Sequence, residues 1–116
     1  MTKIYLSGPM TGYPDFNKAA FAEAAFKLRE LGFKVVNPHQ LPEPVTIIGD
    51  DEYNWRQYLA RDVEKIVGDI NIEGVVVLPG WEQSRGAMLE IRVAQYLGLK
   101  VYPLEAVLAA GENIQK

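Results

Sequence analysis

Two carboxylates, Glu90 and Asp62, stand where apolar residues belong. In "SRGAMLEIRVAQYLGLKVY" (84–102), a helix advancing about 100° per residue gathers Ala87, Ile91, Ala94 and Leu97 on one arc. Glu90 falls close to the middle of that arc, while Arg92 and Gln95 lie on the other side. In "NWRQYLARDVEKIVG" (54–68), Trp55, Leu59, Val63 and Ile66 form a second apolar face. Asp62 falls inside it, with Arg61, Glu64 and Lys65 further round on what reads as a solvated side. A carboxyl among apolar neighbours must have its charge satisfied, or its pKa rises. One reading is structural: Glu90 pairs with an arginine or tyrosine, and Asp62 forms an unrelated ion pair. The other is chemical: two acid groups border one cleft and are pushed toward different protonation states for different tasks.

Four further features could serve a ligand, each with a plainer alternative. "GPMTGYP" (8–14) makes a tight turn through Gly8, Pro9 and Met10. It is neither the dinucleotide-binding glycine fingerprint nor the phosphate loop ending in Gly-Lys-Ser/Thr, and many such turns need glycine for steric reasons alone. Ser84 reads as a helix N-cap, and the free amides behind it suit a phosphate or sugar oxygen. Arg85 could add positive charge there or point to water. His39 opens a loop, where it contacts ligand or packs on the surface. Trp81 and Trp55 could stack on a planar base, Trp55 reading more readily as core.

The elements that must position these groups alternate. "KIYLSG" (3–8) reads as a strand and "DFNKAAFAEAAFKLRELG" (15–32) as a helix, with Asp15 or Asn17 able to cap it and Gly32 suited to its end. "FKVVNP" (33–38) is a second strand. "HQLPEPVTIIGDDEY" (39–53) is a surface connection whose "VTII" reads as a short strand or a lid. The helix at 54–68 has an alternative start at Asp50 or Asp51. "IEGVVVLPG" (72–80) holds a β-branched run of the kind buried in parallel sheets. The helix at 84–98, with Gly98 just past its end, leads to a strand at 99–104 and a short last helix. The alternation predicts an α/β fold: a three-layer, flavodoxin- or Rossmann-like open parallel sheet of four to five strands with helices on both faces. Ligands of such sheets bind at the carboxyl ends of the strands, where strand order reverses. "SGPMTGYPD", "NPHQLPEP" and "LPGWEQSRG" all follow strand ends and are the expected walls of one site.

Composition narrows the classes. The 116 residues predict one domain spanning 1–116, and 48% apolar content supports a core. A net charge of -3 argues against binding a nucleic-acid polymer or a membrane surface. Cysteine is absent and His39 is the single histidine, so thiolate chemistry is excluded and neither a metal site nor a cofactor is expected. There is no apolar run approaching the roughly 20 residues of a membrane span. The start "MTKIYLSGPM" reads as a strand and turn rather than a signal peptide, so a cytoplasmic setting is expected.

At these residues the chain resembles the nucleoside 2-deoxyribosyltransferase superfamily. The likeness rests on "YLSGPMTG" (5–12), on Asp62 in "LARDVEKI" and on "SRGAMLE" (84–90), and extends over roughly residues 3–104. Two branches are most similar. One is the nucleoside 5′-monophosphate N-glycosidases, which carry a histidine after the second strand, as His39 is here. The other is a set of small, often phage-borne proteins sharing "SGPMTG" and "LPGWE-S-GA--E". The resemblance implies that Glu90 is a nucleophile toward the anomeric carbon of a (deoxy)ribosyl group. Asp62 then holds the nucleobase or protonates it. Tyr5, Gly8, Pro9, Met10, His39, Ser84 and Gly86 become the substrate-binding set, with Ser84 at a 5′-phosphate. Asp62 is expected raised and Glu90 ionised. The partner implied is a small nucleoside or nucleotide, and the assembly a homo-oligomer. The chain departs from many transferases before the nucleophile's helix, where Glu82 in "WEQSRGAMLE" only approximates their acidic residue, and Trp81 and Arg85 narrow the space for a second base. A non-catalytic nucleotide-binding protein using the same cleft is the alternative reading.

Overall fold

The computed structural model describes residues 2–44 and 49–115. In chain order the elements are β1 (Lys3–Ser7), α1 (Lys18–Glu30), β2 (Lys34–Val36), α2 (Asp51–Gly68), β3 (Ile72–Val77), α3 (Arg85–Tyr96), β4 (Lys100–Pro103) and α4 (Leu104–Gln115). The strands form one sheet in the order β2-β1-β3-β4 with every pairing parallel. The alternating elements thus fold into the expected open α/β sheet, at four strands.

Side-chain alternation along the strands divides the core in two. Ile4, Leu6, Val76 and Leu78 pack on Phe21, Ala24, Ala25 and Leu28 of α1, with Leu104, Val107 and Leu108 of α4 beside them. Tyr5, Val36, Val75 and Val77 pack on Ile66 of α2 and on Ile91 and Ala94 of α3. So α1 and α4 cover one face, and α2 and α3 the other. Ser7 shares the parity of Tyr5 and is turned toward α2 and α3. The register of β1 on β3 slips once, Lys3 meeting Ile72 but Ile4 meeting Gly74. The extra residue, Glu73, reverses the alternation and sends Ile72 to the face of Val75 and Val77. Strand order reverses between β1 and β3, because β2 leaves β1 on one side and β3 lies on the other.

One helix start departs from the sequence expectation. α1 begins at Lys18 rather than at 15, because Asp15, Phe16 and Asn17 all adopt positive φ, at 49°, 53° and 63°. Neither acts as a side-chain cap; Asn17 Nδ2 instead donates to the Pro9 carbonyl at 2.9 Å. α2 begins at Asp51, the earlier of the two expected starts, with Asp50 accepting from the Tyr53 amide at 2.9 Å. Ser84 caps α3 as expected, accepting from the Ala87 amide at 3.2 Å, and Gly98 follows it with φ 79°. The expected strand or lid at 45–48 lies outside the described residues.

At 18 residues α2 is about 27 Å long, against about 20 Å for the six residues of β3. Arg61, in its middle, reaches the Pro38 carbonyl just beyond the end of β2. The first half of α2 therefore overhangs the carboxyl edge of the sheet. This is why Asp62 and Ile66 are buried while Trp55 and Leu59 are only half-buried: no strand lies beneath the overhang. Among the described residues, no helix is long and apolar enough to cross a membrane.

Candidate active site

The end of β1 brings two hydroxyls to Glu90. Ser7 Oγ donates to Glu90 Oε1 at 2.7 Å, and Tyr5 Oη lies 3.3 Å from Oε2 as a second donor. Both come from one strand face because they are two residues apart. Asp62 arrives from α2. Its Oδ1 accepts from Arg61 Nε at 2.9 Å and Arg61 Nη2 at 2.8 Å, and its carboxyl also interacts with Glu90 and the Tyr5 hydroxyl. Glu90 is 6% exposed and Asp62 5%. Two acids from different helices therefore meet at the carboxyl end of β1, beside the reversal of strand order. Among the described residues, every buried side-chain nitrogen and oxygen has a hydrogen-bond partner.

On α3 the buried residues are Ala87, Glu90, Ile91 and Ala94. Leu97, counted in the apolar arc from sequence, is exposed, as is Leu89. Glu90 consequently sits at the flank of the buried arc that faces α2, not in its middle. That displacement is what lets it reach Asp62. Arg61 corrects the other wheel: it is half-buried and turned onto Asp62, not solvated.

Burial, then the neighbouring Asp62 charge, pushes Glu90 up to about 8 from an ordinary 4.5; the Ser7 and Tyr5 hydroxyls pull it down only in part. Burial raises Asp62 as well, as expected, but the Arg61 charge and its hydrogen bonds oppose the rise. Tyr5 is held well above its usual range by burial and by both carboxyls, so it stays a donor. The charges around the pair thus favour its last proton on Glu90. This differs from the expected ionised Glu90, because among the described residues the cation at the pair, Arg61, lies on Asp62.

The remaining expected residues divide. Gly8 is required by close packing: a Cβ there would lie 2.9 Å from Leu78 Cβ and 3.4 Å from Phe21 Cζ. Pro9 is buried, and Met10 packs against the α1 side of the core rather than toward the acids. His39 Nε2 lies 3.1 Å from the Phe16 carbonyl oxygen, and its ring meets Phe21 edge-on at 5.0 Å. Burial lowers its pKa, so it is a neutral tie between the loops after β1 and β2, on the side of α1. Gly86 faces α2, with Trp55 Nε1 3.7 Å from where its Cβ would stand. Arg85 stacks over Trp55 at 3.8 Å and bonds Glu52 at 3.2 Å, so it does not offer a bare charge beside Ser84.

A cavity of about 240 Å³ opens at the ends of β3 and β4, lined by residues 77–82, Pro103 and Glu105. Trp81 and Glu82 belong to it, while Glu90 and Asp62 do not. Ser7 and Arg61 are the two site residues that the sequence reading passed over. Parity with Tyr5 pointed to the first, and adjacency to Asp62 to the second. Among the described residues, no group of three or more histidines and acids could hold a metal ion.

A family model described as "Domain of unknown function (DUF4406)" matches residues 2–103, and the chain belongs to that family. No curated protein matches the chain.

Proposed function

We infer that this member of the family cleaves, or transfers across, the N-glycosidic bond of a (deoxy)nucleoside or its 5′-monophosphate, with Glu90 as nucleophile and Asp62 as acid. One observation carries the reading: two carboxyls from separate helices share a site with Tyr5 and Ser7 at the strand ends where such sheets bind ligands. The resemblance to nucleoside 2-deoxyribosyltransferases supplies the reaction class, and the pair supplies the chemistry. A Glu90 oxygen attacks C1′ while the C1′–N bond breaks and its electron pair passes to the base. A proton from Asp62 neutralises the departing nitrogen, and an ester joins Glu90 to the sugar. Water, or a second base, then attacks C1′ and gives its proton to Asp62 as the ester bond breaks and frees Glu90. Ser84 keeps its O–H for a phosphate oxygen, because the cap uses only its lone pair.

The reaction needs one proton on the pair and uses it from Asp62. The same total is present when it rests on Glu90, so kcat/KM should be bell-shaped in pH. The upper limb should fall through about 8, where the pair loses its last proton. Incubating the protein with a panel of nucleosides and monophosphates, and following free base by chromatography, tests the reading. Wild type should release base and Glu90→Ala should release none.

The second reading, a nucleotide-binding protein without catalysis, is favoured by the cavity at the ends of β3 and β4, whose lining includes neither Glu90 nor Asp62. If neither wild type nor Glu90→Ala releases base while both bind the same nucleotide by calorimetry, that reading replaces the first. A homo-oligomer in a cytoplasmic setting belongs to the same proposal.

A further inference from the structure

We propose that Arg61 is a positioning residue that decides which carboxyl of the Asp62–Glu90 pair carries the shared proton, and that a ligand drawing its guanidinium off Asp62 sends this proton from Glu90 to Asp62. The purpose of the shift rests on the reaction inferred above; the shift itself does not.

The geometry is one-sided. Arg61 places Nε and Nη2 on Asp62 Oδ1, at 2.9 and 2.8 Å. Glu90 is flanked by uncharged donors, Ser7 and Tyr5, and by Asp62 itself. The groups facing the pair are therefore Tyr5 and Ser7 from β1, Arg61 and Asp62 from α2, and Glu90 from α3. A cation on one member of a carboxyl pair favours that member's ionised form and leaves the proton on the other. Glu90 then turns its O–H to Asp62.

The guanidinium also has somewhere else to stay. Nη2 donates to the Pro38 carbonyl at 2.9 Å, Nη1 reaches the Pro42 carbonyl at 3.4 Å, and the Tyr58 ring lies 5.1 Å below Cζ. A base carbonyl or another acceptor that reaches Arg61, whose side chain is 17% exposed, recruits the guanidinium without leaving it unsolvated. Asp62 then loses the charge that held it ionised. One proton passes from a Glu90 oxygen to an Asp62 oxygen, and net charge is unchanged. The product, ionised Glu90 beside neutral Asp62, is the state that attack and leaving-group protonation require. Arg61 in this account keeps the ligand-free site at rest.

The test reads the proton directly and needs no substrate. Side-chain carboxyl carbons of Asp62 and Glu90 are followed by ¹³C NMR against pH in the wild type, in Arg61→Met and in Asp62→Asn. Near neutral pH the wild type should show Asp62 ionised and Glu90 protonated. In Arg61→Met both resonances should move toward one another as the proton redistributes, and the upper titration step should rise by about one unit or more, since a cation has left. Should that variant not fold, Asp62→Asn still decides: removing an ionised neighbour should lower the Glu90 step by about one unit or more. Unmoved resonances in Arg61→Met, a wild-type proton on Asp62, or an unmoved Glu90 step in Asp62→Asn overturns the proposal. If the proton moves as described but no nucleoside loses its base, the assignment of Arg61 stands and the glycosidic reading falls. If base is released and the proton is indifferent to Arg61, the reverse holds.

Discussion

At the scale of single residues, the charge on Glu90 is the decisive quantity. Its ordinary value is 4.5 and its folded value about 8. Between those values the folded chain binds more protons than the unfolded chain, so this residue lowers stability as pH rises. The penalty is absent below about 4.5 and complete above about 8. Glu90→Gln, which is neutral throughout and can still donate to Asp62, should be close to wild type in stability at pH 4.5. At pH 8 it should be more stable by roughly 1–3 kcal/mol. Urea unfolding at the two pH values measures this. A variant that is less stable at both would show that Glu90 is a structural anchor, the plainer of the two readings open in the sequence.

At the scale of elements, the site depends on how closely β1 and β3 finish together. The Leu78 amide donates to the Ser7 carbonyl at 2.9 Å, continuing the ladder past the last paired residues. Only a residue without a side chain fits next, at Gly8. Gly8→Ala must push Leu78 or Phe21 aside, and should cost about 1–3 kcal/mol, as overpacked cores do. It should also disturb the Ser7–Glu90 bond one residue away. Thermal unfolding together with the pH titration of Glu90 would show both effects. Unchanged stability would mean that the strands can separate freely, and that the site is less rigid than its packing implies. The opposite end of the sheet is tied independently. Asp69, just past α2, is bonded by Lys3 at 2.5 Å and Lys65 at 3.1 Å, and is held at about 2.

At the scale of the molecule, α2 and α3 carry the acids on the covered face and leave apolar groups outside. Met88 is 39% exposed and Tyr96 92%, with Leu89 and Leu97 also exposed on α3. Tyr58 on α2 is half-buried and donates to Glu43 at 2.5 Å. If the proposed homo-oligomer uses the outer side of α3, sedimentation of the wild type should show a species larger than one chain. Tyr96→Glu should shift it toward monomer at equal concentration, with circular dichroism unchanged. A wild type that sediments as a monomer at all concentrations removes this part of the proposal.

Much of this was legible in the residue order, because local physics dictates it. Alternation of strands and helices, the Ser84 cap and Gly98 end of α3, and the inward placement of Asp62 and Glu90 follow from backbone periodicity and short-range hydrogen bonding. The positive φ run at 15–17 was not legible, since its ties, Asn17 to the Pro9 carbonyl and the Phe16 carbonyl to His39, lie outside the run. Nor was the partner of each acid. A helical wheel states which way a side chain points, not what stands opposite: Ser7 becomes a partner of Glu90 only when β1 meets α3, and Arg61, though next to Asp62 in the chain, turns onto it where the Pro38 carbonyl also holds it. Sequence thus determined that two carboxyls would face the core; the tertiary packing decided how deeply each is buried and that the two meet. Burial and the approach of Glu90 to Asp62 set the energies of both groups, and both depend on elements far apart in the chain.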